Sequence, residues 1–64
     1  MKTYIVAVES KKNKAVKISQ VGYTTLEAAK RFIRSRSDSP KALTAYAYDG
    51  IEFMYFIHEI IIIE

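Results

Sequence analysis

The sequence predicts an α+β fold: a single ββαββ domain with a four-stranded antiparallel sheet and one amphipathic helix on one face of that sheet. Three observations support this prediction. The N-terminal part has two strand-like stretches around a polar turn, the centre has helical periodicity, and an Asp-Gly pair separates two strand-like stretches in the second half. Since 64 residues are too few for two hydrophobic cores, residues 1–64 are assigned to one domain.

The N-terminal segment has the pattern of a β-hairpin. Residues 3–8 are β-branched or aromatic apart from one alanine, which favours a strand. A polar stretch follows and contains Asn13, a residue that tolerates the left-handed backbone of turns. Residues 15–21 then alternate apolar with polar side chains, as expected for a strand with one face in water. Gly22 is expected to end this second strand.

The central segment has the start signal and the periodicity of an amphipathic helix. Thr24 and Glu27 have the spacing of a capping box, which predicts a helix from Thr25. The polar residues before Pro40 are expected to end it. The apolar side of the helix contains Leu26, Ala28, Ala29, Phe32 and Ile33, and the outer side contains Glu27, Lys30, Arg31 and Arg34.

The second half has the pattern of another hairpin. Residues 42–48 and 51–63 both have strand character, and the pair Asp49-Gly50 between them is a strong signal for a two-residue type I′ turn. That turn requires positive φ at both of its residues. The register it implies pairs Tyr48 with Ile51, Tyr46 with Phe53, Thr44 with Tyr55, Ala45 with Met54 and Leu43 with Phe56.

The strand order cannot be read from periodicity. We expect the antiparallel order 2-1-3-4, and a parallel contact between the first and last strands is the alternative. The helix is expected to cover Met54 and Phe56, because the small side chains near Ala45 would let it approach closely. The predicted core is Ile5, Ala7, Val16, Ile18, Leu26, Ala29, Phe32, Ile33, Leu43, Ala45, Met54 and Phe56.

Composition argues against several functional classes. The chain has no cysteine, and its single histidine, His58, has no other strong metal ligand to act with, so neither a disulfide nor a metal or other cofactor is expected. No nucleophile motif or phosphate loop is present, so an enzyme and a small-molecule ligand are not expected. The start lacks the pattern of a signal peptide, and residues 51–63 include Glu52 and Glu59, so we expect a cytoplasmic protein that does not enter membranes.

The last predicted strand is apolar on both faces, whereas one helix can cover only one of them. The uncovered face is expected to bind a protein, first of all a second copy of the chain. A size of this kind is also typical of small accessory proteins of bacteria and phages, which act by binding or inhibiting a larger partner. The expected interface residues are Tyr46, Tyr48, Phe53, Tyr55, Ile57, Ile61 and Ile63.

Cationic side chains offer an alternative function. The excess of ten Lys and Arg over seven Asp and Glu gives a net charge of +3, which permits an acidic protein or a nucleic acid as partner. Nucleic acid would stack on the tyrosines while lysines contact phosphates. The same charges are also explained as solvated faces that keep a small apolar protein in solution. The candidate phosphate or acidic-partner contacts are Lys11, Lys12, Lys14, Lys30, Arg31 and Arg34.

Overall fold

The computed structural model describes residues 1–19 and 21–63, which form one helix and one antiparallel sheet. The α+β class and the antiparallel sheet are confirmed, but the sheet has five strands in the order β2-β1-β5-β4-β3, and the predicted number of four is wrong. Residue 20, within the second predicted strand, lies outside the described residues. The elements are β1 Lys2–Ser10, β2 Val16–Ile18, α1 Leu26–Arg34, β3 Lys41–Thr44, β4 Ala47–Asp49 and β5 Phe53–Ile61.

The extra strand arises because the predicted strand 42–48 turns back on itself. The chain reverses at Ala45 and Tyr46, and β3 and β4 pair across this turn. The Thr44 hydroxyl accepts a hydrogen bond from the Tyr46 backbone N–H at 3.1 Å, which stabilises the reversal locally. Alternation alone could not reveal this turn, since it contains neither Gly nor Pro.

The first and last strands lie side by side at the centre of the sheet. β1 and β5 are antiparallel along their full nine residues, from Lys2 opposite Ile61 to Ser10 opposite Phe53. The predicted order 2-1-3-4 is therefore wrong, and so is the parallel direction of the alternative. Two long apolar strands gain most by pairing with each other, because the short strands could cover only part of either one.

A loop of three residues, rather than a two-residue turn, connects β4 to β5. Tyr48 lies opposite Tyr55, so the predicted register and the type I′ turn are wrong. No glycine among the described residues has positive φ. Gly50 is instead required for space, since a Cβ there would lie 2.7 Å from the Phe53 carbonyl oxygen and would collide with the Asp38 carboxylate.

Asp38 holds this loop in place from the segment after the helix. Its carboxylate accepts hydrogen bonds from the backbone N–H of Glu52 at 2.9 Å and of Phe53 at 3.0 Å. It also accepts from the Tyr55 hydroxyl at 3.2 Å, and the Asp38 carbonyl accepts from the Ile51 N–H at 3.1 Å. We call this set of contacts the Asp38 clamp; it fixes where β5 begins.

The helix covers the face of the sheet opposite to the predicted one. Met54 and Phe56 are only half-buried, so their assignment to the helix-covered core is wrong, and Val16, Ile18 and Leu43 are exposed. The helix residues Ala29 and Ile33 are buried as predicted, whereas Leu26 and Phe32 are partly buried at the margin. The sheet contributes the large rings of the core, and the small side chain of Ala29 lets the helix lie close to them. The core cluster is Val6, Ala29, Ile33, Tyr48, Tyr55 and Ile57.

The helix begins one residue later than the capping-box pattern predicts. Thr25, with extended backbone angles, is the N-cap, and its hydroxyl accepts a hydrogen bond from the Ala28 N–H at 3.1 Å. Glu27 therefore lies one position too early to complete a capping box. Its carboxylate instead lies 3.8 Å from Lys30 and 3.9 Å from Arg34 on the exposed side of α1.

Candidate functional site: the open sheet face and the C-terminal half of β5

One whole face of the sheet has no covering layer among the described residues. The register aligns Ile18, Ala7, Phe56 and Ala47 in one row across four strands. Of the described apolar residues on this side, Ala7 alone is buried, since it is shielded by its larger neighbours. We define the open face by its apolar side chains, which are Ile5, Ala7, Val16, Ile18, Ala47, Met54, Phe56 and Ile60.

The C-terminal half of β5 extends beyond its neighbour on one side. β4 pairs with β5 only as far as Phe56, and the last contact is a 2.8 Å hydrogen bond from the Ile57 N–H to the Tyr46 carbonyl. Beyond that point β5 pairs with β1 alone. Within the described residues, the backbone of Glu59 and Ile61 on the β4 side has no hydrogen-bonding partner.

The two outer strands of the sheet offer much less edge to a partner. β2 has three residues and contains Lys17, and β3 has four residues, begins with Lys41 and has an irregular register near Leu43. Short length, lysine and irregular pairing are the features by which proteins discourage strand addition. The end of β5 and the two residues after it form a continuous run of isoleucine instead, at positions 60–63.

Apolar side chains surround this unpaired edge. Ile61 is 64% exposed and Ile63 is 91% exposed, while Ile60 and Ile62 are each 42% exposed. The charge of Glu59 is partly balanced, because Lys2 lies 3.4 Å away and the Tyr4 hydroxyl donates to its carboxylate at 3.2 Å. Partial burial together with this hydrogen bond to Glu59 raises the pKa of Tyr4.

The structure separates the predicted interface residues into two groups. Ile61 and Ile63 are exposed as expected, and Tyr46 is 43% exposed beside the β3–β4 turn. Tyr48, Tyr55 and Ile57 were expected on the uncovered face, and this expectation is wrong because the helix buries them. Phe53 lies on the same covered side and is half-buried.

Tyr55 is buried in a structural role. Its hydroxyl belongs to the Asp38 clamp, and burial together with the nearby Asp38 charge raises the pKa of Tyr55, against an opposing effect of Arg36. Partial desolvation acts to raise the pKa of Asp38, but its hydrogen bonds from Glu52, Phe53 and Tyr55 outweigh that effect and lower the pKa. The tyrosines of β4 and β5 are therefore unavailable as a stacking platform.

The predicted cationic residues all belong to exposed or partly exposed positions around the helix and the first hairpin. Lys11 pairs with Asp49 and donates to the Gly50 carbonyl, so it closes the loop at the start of β5. Lys30 and Arg34 lie near Glu27 on the helix. Lys12, Lys14 and Arg31 are exposed, and none of their side chains forms an ion pair or hydrogen bond within the described residues.

Two further cations line a groove on the helix-covered side. The groove has a volume of about 410 Å³ and lies between the first hairpin, the end of the helix and the start of β5. Lys17 and Arg36 contribute its charges, Phe32 and Phe53 contribute its apolar floor, and Arg36 lies 5.7 Å from the centre of the Phe32 ring. Only the tertiary structure brings these four residues together.

The comparisons with known proteins give no family assignment: no family model, curated protein or solved structure matches this chain. His58 is exposed on β5, and no cluster of three or more metal-binding side chains occurs in residues 1–19 and 21–63. The helix α1 is too short to cross a membrane, and it is the one helix in the part of the chain that is described.

Proposed function

We propose that this protein is a non-enzymatic protein-interaction module that associates with itself through the open face and the C-terminal half of β5. The observation that carries the proposal is the concentration of exposed isoleucines on a strand whose backbone is unpaired on one side. Contiguous apolar surface of this kind marks interaction sites in small proteins. An accessory or inhibitory action on a larger protein would use the same surface.

The size of the domain supports self-association. A chain of 64 residues buries only about 60% of its unfolded surface when it folds alone, so its stability is marginal. Seven of the residues that the structure describes form the buried hydrophobic set, while the isoleucines at and after the end of β5 remain exposed. A second copy that covers them would add apolar burial that the monomer lacks.

The proposal is tested by the mass of the protein in solution. Sedimentation equilibrium at micromolar concentration should give the mass of two or more copies for the wild type. Ile60→Asp, which introduces a charge on the open face, should shift the equilibrium towards the monomer. Leu43→Asp is the matched control, because Leu43 is 58% exposed but lies on β3, which does not pair with β5 and contributes no side chain to the open face as defined above. A monomeric wild type would contradict self-association and direct the search to a different protein as partner.

Binding to nucleic acid is a second candidate function, supported by the groove between Lys17 and Arg36. Lys17 in β2 and Arg36 after the helix both line that groove, so cations from two segments of the chain are on the same side of the molecule. Phosphates would contact these cations, and one base could contact the Phe53 ring. The loss of Tyr48 and Tyr55 to the core leaves this candidate weaker than protein interaction.

The two functions separate by their salt dependence. Binding to a labelled single-stranded oligonucleotide through several phosphates should weaken by orders of magnitude between about 50 and 200 mM salt. Lys17→Glu combined with Arg36→Glu should abolish it, while Lys41→Glu, a charge reversal on β3, should have little effect. Absence of binding at the lower salt concentration would eliminate this candidate.

A further inference from the structure

We propose that two copies of this chain pair edge to edge through Glu59–Ile63, antiparallel to each other, so that their sheets merge into one. This inference rests on the self-association proposed above and specifies its geometry. Each copy contributes a five-stranded sheet in which β5 is interior along its first half and an edge along its second. The partner strand would occupy the position beside β5 that β4 leaves empty.

The backbone orientation of β5 follows from its pairing with β1. The Ile62 N–H donates to the Met1 carbonyl at 2.8 Å, so the backbone N–H and C=O groups of Ile62 point towards β1. Successive residues of a strand alternate the direction of their backbone N–H and C=O groups. Those of Ile60 therefore also point towards β1, while those of Glu59 and Ile61 point towards the β4 side of the sheet. Ile57 has the same orientation as Glu59 and Ile61, and its N–H is already bonded to Tyr46.

These orientations favour one register. With a two-fold axis at Ile61, Ile61 pairs with the same residue of the second copy and Glu59 pairs with Ile63. Three hydrogen-bonded pairs then form, with about six hydrogen bonds in total. A register centred on Ile60 would instead place Ile63 opposite Ile57, whose N–H is bonded to Tyr46 at 2.8 Å. Because the β3–β4 turn already occupies the Ile57 N–H, the register centred on Ile61 is favoured over the one centred on Ile60.

The side chains suit this register as well. Ile60 of one copy lies opposite Ile62 of the other, so four isoleucines form an apolar patch that continues the open face across both copies. Glu59 lies opposite an isoleucine, which keeps the two carboxylates apart, and each carboxylate retains its own Lys2 partner at 3.4 Å. A two-fold interface requires a surface that complements itself, and this edge meets that requirement.

Proline at position 61 is the sharpest test, because the Ile61 N–H has no partner among residues 1–19 and 21–63 of the monomer. Ile61→Pro should keep the fold, since edge positions tolerate proline, and should raise the dimer dissociation constant at least about tenfold. Ile61→Val keeps the N–H and most of the apolar surface and serves as the matched control. Circular dichroism checks that both variants keep the wild-type secondary structure.

Hydrogen exchange of the wild type tests the same geometry without a substitution. The amide protons of Glu59 and Ile61 should exchange more slowly as protein concentration rises. The amide of Ile18 serves as the internal control. The Ser19 N–H donates to the Val6 carbonyl at 2.8 Å, so the neighbouring amide of Ile18 points away from β1 at the outer edge of β2, and its exchange should not depend on protein concentration. In a mixed-label sample, an intermolecular nuclear Overhauser effect should join the α-protons of Ile60 and Ile62.

The outcomes distinguish this inference from the proposed function. If the protein dimerises but Ile61→Pro has the wild-type dissociation constant and the two amides show no concentration dependence, edge pairing is overturned while self-association through the open face stands. If the wild type is monomeric at every concentration, both are overturned. Loss of dimer in Ile61→Pro but not in Ile61→Val, with concentration-dependent protection, supports edge pairing.

Discussion

The two halves of β5 both contain large apolar side chains but have very different surroundings. Phe53–Ile57 has a strand on each side and the helix above, and Tyr55 within it is fully buried. Within the described part of the chain, His58–Ile61 has one neighbouring strand and no covering element, and Ile61 is 64% exposed. Both halves are rich in large apolar residues. Hydrophobicity alone therefore does not decide which residues a small domain buries; the number of neighbouring elements does.

The difference shows how the molecule divides its apolar surface between stability and binding. The first half stabilises the monomer through the helix and the Asp38 clamp. The second half adds little to the monomer, and its surface is available to a partner. Substitutions should separate these two roles cleanly, because the halves have different neighbours and share only β1.

The largest expected effect comes from truncating the buried half. Tyr55→Ala should lower the free energy of unfolding by about 3–5 kcal/mol, because it empties the centre of the core and removes a hydrogen bond to Asp38. Ile61→Ala should change it by less than about 0.5 kcal/mol when the protein is dilute and monomeric. Urea titrations followed by circular dichroism measure both. Equal losses would contradict the division between the halves.

The next largest effect concerns the loop that starts the buried half. Gly50→Ala should cost about 1–3 kcal/mol, since the added methyl group would collide with the Asp38 carboxylate and crowd the Phe53 carbonyl at 2.7 Å. Ile51→Ala, next to it but 71% exposed, is the control and should be nearly neutral. Thermal melts compare the two. A neutral Gly50→Ala would show that the Asp38 clamp does not restrict this loop.

A smaller effect is expected at the start of the helix that covers the buried half. Thr25→Ala should lower stability by about 0.5–2 kcal/mol, because it removes the acceptor for the Ala28 N–H. Thr24→Ala should have little effect, since Thr24 makes no capping contact in the part of the chain described. The reverse ranking in urea titrations would restore the capping box predicted from the sequence.

The smallest expected effect is the pH dependence of the Asp38 clamp. The pKa of Asp38 is lower in the folded protein than its usual value near 3.8, so its charge favours folding above that value. This contribution should disappear as the pH falls below about 3.8 and through the folded pKa. The melting temperatures of wild type and Asp38→Asn should therefore differ at pH 7 and converge in acid. If the two melting temperatures still differ at low pH, the stabilising effect of Asp38 comes from its hydrogen-bonding geometry and not from its charge.

The sequence predicts local structure better than it predicts the tertiary arrangement. Ala29 and Ile33 are buried as their helical spacing indicates, because that spacing is a property of neighbouring residues. Which face of the sheet the helix covers does not depend on neighbouring residues alone. β5 is apolar on both faces, so its sequence pattern is the same whichever face the helix covers. The turn at Ala45 also escaped prediction, since its stabilising contact comes from Thr44 rather than from Gly or Pro.

The candidate site was predicted in part for the same reason. Exposure of Ile61 and Ile63 follows from an excess of apolar residues over what one helix can cover, and the structure agrees. The unpaired backbone beside Glu59 depends on where β4 begins, which only the observed register shows. Tyr48 and Tyr55 were misassigned because the helix was expected on the face with the small side chains near Ala45. The helix covers the tyrosines instead, and the clamp satisfies the Tyr55 hydroxyl internally with a 3.2 Å hydrogen bond.

The central pairing of β1 with β5 also constrains how the protein folds during synthesis. Thr3 pairs with Ile60, so the two central strands can pair fully only after the chain up to residue 60 has left the ribosome. Until then, of its two neighbouring strands in the sheet, β1 can pair with the short β2 but not with β5. The helix and the hairpins are therefore not stabilised by the complete sheet before these distant segments meet. Such long-range pairing slows folding. We therefore expect the nascent chain to gain its native structure late and in one step, when β5 arrives.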